Sequence, residues 1–136
     1  SNIFLNENDF FNVKNYNTSF EIVSIFLIIF IRKNLYENNR NQYLKVNEEL
    51  ISLFISDLDE SLREKGIGDM SIGKYVKSYV KKFYFRLSKF PSDKNLYKNE
   101  AFIKYLKMTN LIKSNDYTYV SRKFNDKFGD FINPII

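Results

Sequence analysis

The run DLDESLREKGIGDMSIGKYVKSYVKKFYFRL, residues 57–87, decides how this chain folds. Its first part sets Leu58 and Leu62 four apart among Asp57, Asp59, Glu60 and Glu64. That is the pattern of an amphipathic helix with an acidic outer side. Gly66 stands where a helix stop wants positive φ, and Ile67 can then fold back on the last turn. Gly68 leaves Asp69 or Ser71 to cap a second helix. A G-x-G pair with no strand before it lacks the setting of a dinucleotide site, so GIGD reads as stop-and-start chemistry.

The second helix is expected over 71–89, and no acidic residue occurs from Ser71 to Leu87. Placing residues about 100° apart gathers Ile72, Val76, Tyr79, Val80, Phe83, Leu87 and Phe90 in one arc. Lys74, Lys77, Lys81, Lys82, Arg86 and Lys89 fill most of the opposite side, with Phe85 among them. The two helices are expected to pair antiparallel and to bury Phe54, Leu58, Phe83 and Leu87 together.

Outward from this pair, the acidic helix extends back to about residue 43, with Leu50, Phe54, Leu58 and Leu62 recurring every four residues. A polar break covers 36–42. Before it, Thr18-Ser19-Phe20-Glu21 has the form of a capping box, Thr18 and Glu21 satisfying each other's amides. The helix it opens runs to about 34 and contains IVSIFLIIFI, residues 22–31, apolar nearly all round and therefore suited to the centre of a bundle. Ten residues fall well short of the roughly 20 that cross a bilayer. No secretory-signal pattern precedes the run, and Ser1-Asn2 is compatible with an expression remnant in place of the native start. Residues 1–17, with Phe4, Phe10 and Phe11, read as a short helix or an irregular arm packed on the domain.

On the other side, Pro91-Ser92-Asp93 ends the basic helix. A further helix is expected over 98–111, with Phe102, Ile103, Leu106 and Leu111 inward. Another is expected over 117–132, capped by Asn115-Asp116, holding Val120, Phe124, Phe128 and Phe131 and ended by Pro134. The expected fold is an all-α, single-domain bundle of about five helices over 1–136, with no repeat and no linker.

Composition narrows the function. Of 136 residues 44% are hydrophobic, and 14 Phe and 10 Tyr supply enough large side chains for a real core. With no Cys and no His, thiol nucleophiles, zinc sites of the usual ligand type and Ser-His-Asp triads are excluded. Asp57 with Glu60, and Glu60 with Glu64, lie adjacent on a helix face, but carboxylate metal sites in bundles pair with His from facing helices. The reading is therefore non-enzymatic, with no metal, no cofactor and no small-molecule substrate. The net charge of +5 favours an anionic partner surface.

Leu62-Arg63-Glu64, Gly66, Gly68-Asp69, Gly73-Lys74, Lys77, Phe83-Tyr84 and Arg86 together resemble the ubiquinol–cytochrome c chaperone family. The match is dense over about thirty residues, with Thr18 and Phe20-Glu21 resembling the family's first helix. In members the Phe-Tyr pair is followed by a small residue, often Gly; Phe85 stands there in this chain and alters the local surface. The resemblance implies an assembly factor that holds newly made cytochrome b, or another membrane-protein client, until the ubiquinol–cytochrome c reductase is built. It also implies a small accessory protein as partner, and a place in the bacterial cytoplasm (of alphaproteobacterial type) or the mitochondrial matrix, peripheral to the inner membrane.

Such work needs an apolar or aromatic surface for a client and a basic surface for a membrane or ribosome. The residues that supply them are Lys74, Tyr75, Lys77, Tyr79, Lys81, Lys82, Phe85 and Arg86, presented by the structural turn Gly66, Gly68 and Asp69. The competing reading is a basic helical module that binds RNA or the ribosome, its Tyr and Phe stacking on bases. The cations are mostly Lys, which makes point contacts with phosphate rather than bidentate base readout.

Overall fold

A computed structural model describes residues 2–8, 10–11, 15–35, 40–92, 95–113 and 116–132. Six helices occur among them: α1 (Asn2–Glu7), α2 (Tyr16–Leu35), α3 (Arg40–Glu64), α4 (Asp69–Lys89), α5 (Glu100–Thr109) and α6 (Tyr117–Ile132). The fold is all-α, as expected, with one helix more than the five anticipated, because the N-terminal segment forms α1. Expectations for 36–39, Asp93, Asn115, Pro134 and the side chain of Phe131 lie outside the described residues. The chain divides into two compact units, one formed by Ser1–Arg32 with Lys89–Ile136 and the other by Lys33–Ser88.

The first unit is built on aromatic rings. Phe4 lies 4.9 Å from Phe124, 5.7 Å from Phe26 and 5.8 Å from Phe11, centroid to centroid. Phe102 continues the cluster to Phe124 and Phe90, both at 5.7 Å, and Phe90 meets Tyr105 at 4.9 Å. Most of these pairs are edge-on, the geometry that the ring quadrupoles favour. Ile22, Ile25, Phe26, Ile28, Ile29 and Ile31 of α2 are buried, so the apolar run belongs to the core as its composition required. The N-terminal segment is held by its own rings and by backbone: the Lys113 amide donates to the Phe10 carbonyl at 2.9 Å beside an isolated bridge between Phe11 and Ile112.

Helix ends in this unit follow local hydrogen-bonding chemistry. Asp116 caps α6, its Oδ1 accepting from the Tyr119 amide at 3.1 Å. Asn99 (φ −79°, ψ 115°) caps α5 by accepting from the Phe102 amide at 3.1 Å, and Asn110 (φ 52°, ψ 33°) closes it in the left-handed region. The expected cap of α2 is corrected. The helix starts a turn earlier than Thr18, and Asn15 is the cap, its Oδ1 accepting from the Thr18 amide at 3.1 Å. Asn is as good a cap as Thr, so the amide that Glu21 was to satisfy is already taken.

The second unit is a helical hairpin. The Gly66 amide donates to the Arg63 carbonyl at 3.0 Å and the Ile67 amide to the Leu62 carbonyl at 3.2 Å. With Gly66 at φ 96°, these two bonds make the Schellman stop read from the sequence. The capping of α4 differs from expectation. Gly68 holds the cap position, its carbonyl accepting from the Ser71 and Ile72 amides at 3.0 Å, while Asp69 is the first helical residue. The rings of Phe54 and Phe83 lie 5.0 Å apart and join α3 to α4 as an antiparallel pair. Leu58, Leu62, Ile72 and Phe83 are buried; Phe54 and Leu87 are half-buried, less enclosed than anticipated.

Candidate functional site: the outer face of the basic helix

Helix α4 carries every residue expected to bind a partner, and the turn before it fixes where the helix begins. Arg63, in the last turn of α3, pairs with Asp59 at 2.6 Å and reaches across the turn to the Asp69 carboxylate. The hydrogen bond that Arg63 donates to Asp59, followed by the one it donates to Asp69, raises the Arg63 pKa above its usual value, and the guanidinium stays charged. Asp69 in turn puts a negative charge in the first turn of α4, where the helix dipole favours one.

At about 100° per residue, the expected residues separate into two stripes. Lys74, Lys77, Lys81 and Phe85 share the outer face and are all exposed, Phe85 by 50%. Tyr75, Tyr79, Lys82 and Arg86 form a second stripe that borders the buried arc. Tyr75 is exposed, Tyr79 and Lys82 are half-buried, and Arg86 is 9% exposed. Placing Arg86 on the solvated side is therefore wrong. It lies three residues after the buried Phe83, so the helical repeat sets it toward the buried arc. Its largely apolar stem is what lets a charged residue sit at such a position.

Among the described residues no carboxylate pairs with Lys74, Lys77 or Lys81. The sequence reading missed Tyr84, 48% exposed, which lies three residues after Lys81 on the same face. The signal was present in the run FYF, since three successive aromatic residues span about 200° of a helix and cannot all turn inward. The outer face is thus a lysine stripe ending between two exposed rings. Electrostatically it suits an anionic surface; chemically its rings offer stacking and apolar contact. Among the described residues there is no cluster of three metal-ligating side chains, and no helix is long and apolar enough to cross a membrane.

The family model described as Ubiquinol-cytochrome C chaperone matches residues 8–118, which include α2 to α5, both stripes of α4 and the turn before it. No curated protein and no solved structure matches the chain.

Proposed function

The chain belongs to the ubiquinol-cytochrome C chaperone family, and we propose on that premise that it is a non-enzymatic chaperone holding newly made cytochrome b during assembly of the ubiquinol–cytochrome c reductase. Membership of the family points to a role in assembling a respiratory complex. The observation that carries the finer reading is the outer face of α4. It presents three exposed lysines without ion-pair partners and two exposed rings, on a helix whose other side buries Ile72 and Phe83. An emerging membrane protein offers apolar helices for the rings, beside an anionic lipid surface that attracts each nearby lysine by about 1 kcal/mol. The chaperone works at the membrane periphery, with a small accessory protein as a further partner.

Deleting the gene in its host and measuring cytochrome b tests this reading. Loss of cytochrome b, restored by the wild-type chain and not by Lys74→Glu/Lys77→Glu/Lys81→Glu, is the expected result. Cytochrome b at its normal level in the deletion strain would overturn the proposal. Salt-sensitive RNA retention in a filter-binding titration, with cytochrome b unaffected, would move the face to the RNA-binding reading.

A further inference from the structure

The two helices of the hairpin turn opposite charges to opposite sides. On α4, Met70, Lys74, Lys77, Lys81, Tyr84 and Phe85 fall within an arc of about 100°, and all six are exposed. Met70 stands fully exposed in the first turn, and Phe85 follows fifteen residues later. The three lysines thus lie between apolar side chains about 22 Å apart along the helix. On α3, the exposed Glu49, Asp57, Glu60 and Glu64 share an arc with Leu53. Each arc lies opposite the buried residues of its own helix, Leu58 and Leu62 on α3, Ile72 and Phe83 on α4. The basic and acidic arcs therefore face opposite flanks of the hairpin.

A broad surface of one charge meets such a hairpin in a single orientation. An anionic bilayer attracts the α4 flank and repels the α3 flank, which turns α4 toward the lipid. The end nearest the turn does not obstruct this approach. A Cβ on Gly66, Gly68 or Gly73 would meet nothing within 4 Å, so the turn is bare there. The Asp69 carboxylate is engaged by Arg63. Met70 is the apolar side chain that projects at this end, as Phe85 and Tyr84 do at the other.

We propose that the client-free protein binds anionic phospholipid directly through the outer face of α4, which lies flat on the bilayer. Lys74, Lys77 and Lys81 sit among the headgroup phosphates, their long stems reaching past the apolar level. Met70 and Phe85 enter the boundary below them, and Tyr84 keeps its hydroxyl at the headgroups. Single-stranded RNA would meet the same lysines and stack on the two rings, but it offers nothing to Met70. The inference rests on the proposed function for its purpose, since it brings the chaperone to the surface where its client is made; the lipid contact itself needs no client.

Co-sedimentation of the full chain with vesicles, without client, tests this. The expected result is binding to phosphatidylglycerol vesicles at about 0.1 M salt and little binding at about 1 M, where the screening length falls from about 10 Å to about 3 Å. Phosphatidylcholine vesicles should bind weakly at both. A lysine near an anionic surface strengthens binding about fivefold, so Lys74→Glu/Lys77→Glu/Lys81→Glu should weaken it at least about a hundredfold, with helical content unchanged by circular dichroism. If that variant loses helix, Lys77→Glu serves in its place and should weaken binding at least about fivefold. The chain has no Trp, so a single introduced one reports its own surroundings. Fluorescence of Met70→Trp and of Phe85→Trp should shift to the blue on phosphatidylglycerol vesicles, and that of Leu53→Trp on the acidic flank should not. A wild-type chain that does not bind these vesicles, or binds phosphatidylcholine equally well, overturns the proposal. So does a lysine variant that binds as wild type does, or a blue shift at Leu53→Trp in place of the other two. Retention of polyuridylate without vesicle binding overturns it in favour of RNA. No client enters these measurements, so their failure leaves the cytochrome b reading standing, and normal cytochrome b in the deletion strain leaves the lipid contact standing.

Discussion

In the unit formed by Ser1–Arg32 and Lys89–Ile136, ring packs on ring from Phe11 through Phe4 and Phe124 to Phe102, Phe90 and Tyr105. In the hairpin unit the rings of Phe54 and Phe83 join the two helices, while Leu53, Met70, Tyr75, Tyr84 and Phe85 stand exposed. The contrast separates two uses of the same residue types. Aromatic side chains buried among other rings go into stability; those left exposed on a helix face are available to a partner. Large apolar residues gathered on one exposed face mark an interaction surface more often than chance exposure. We infer that recognition is concentrated on the hairpin and that the ring-packed unit contributes more to stability.

Substitutions can break this contrast. The largest effect is expected in the ring cluster. Phe124 is fully buried and meets Phe4, Phe26 and Phe102, so Phe124→Ala should cost about 3–5 kcal/mol in a denaturant titration. Phe83→Ala should come next, at about 3 kcal/mol, the low end of that range, since its partner Phe54 is only half-buried. If Phe83→Ala proved costlier than Phe124→Ala, the hairpin would be the stable part and the contrast would be reversed.

A smaller effect should come from the turn. A Cβ on Gly66 meets nothing within 4 Å, so the cost of Gly66→Val is that of holding φ at 96°, about 1–2 kcal/mol. Gly68 is equally open and has no positive φ, so Gly68→Ser, which keeps a residue suited to the cap position, should leave the thermal midpoint nearly unchanged. Equal effects at the two glycines would remove the role given to positive φ. The smallest effect on stability is expected for Lys74→Glu/Lys77→Glu/Lys81→Glu. Exposed residues without ion-pair partners change stability by no more than about 0.5 kcal/mol each. Thermal unfolding of this variant should therefore stay close to wild type even as partner binding is lost.

Much of this was legible in the sequence because it depends on local chemistry. The bounds of α6 follow from the Asp116 cap and the repeat of Val120 and Phe124, and the stop at Gly66 follows from the need for positive φ. The start of α2 was misplaced because Asn15 and Thr18 carry the same capping chemistry three residues apart, and only the fold decides between them. Tyr105, in the buried ring cluster, was not counted as core because its hydroxyl marks it as amphipathic; its burial depends on Phe90 and Phe102, remote or unranked in a local reading. The lysine stripe was legible from helical spacing and the absence of acids. The position of Arg86 was not, since charge alone argued for solvent while its spacing from Phe83 argued for burial.

Site-specific photo-crosslinking in cells tests most directly whether recognition is concentrated on the hairpin. A crosslinking residue is introduced at Lys77 or Phe85 on the outer face of α4, and at the exposed Lys104 or Arg122 in the ring-packed unit. Newly made cytochrome b should be captured from Lys77 and Phe85 and not from Lys104 or Arg122. Capture from Lys104 or Arg122 with none from the α4 positions would contradict the account.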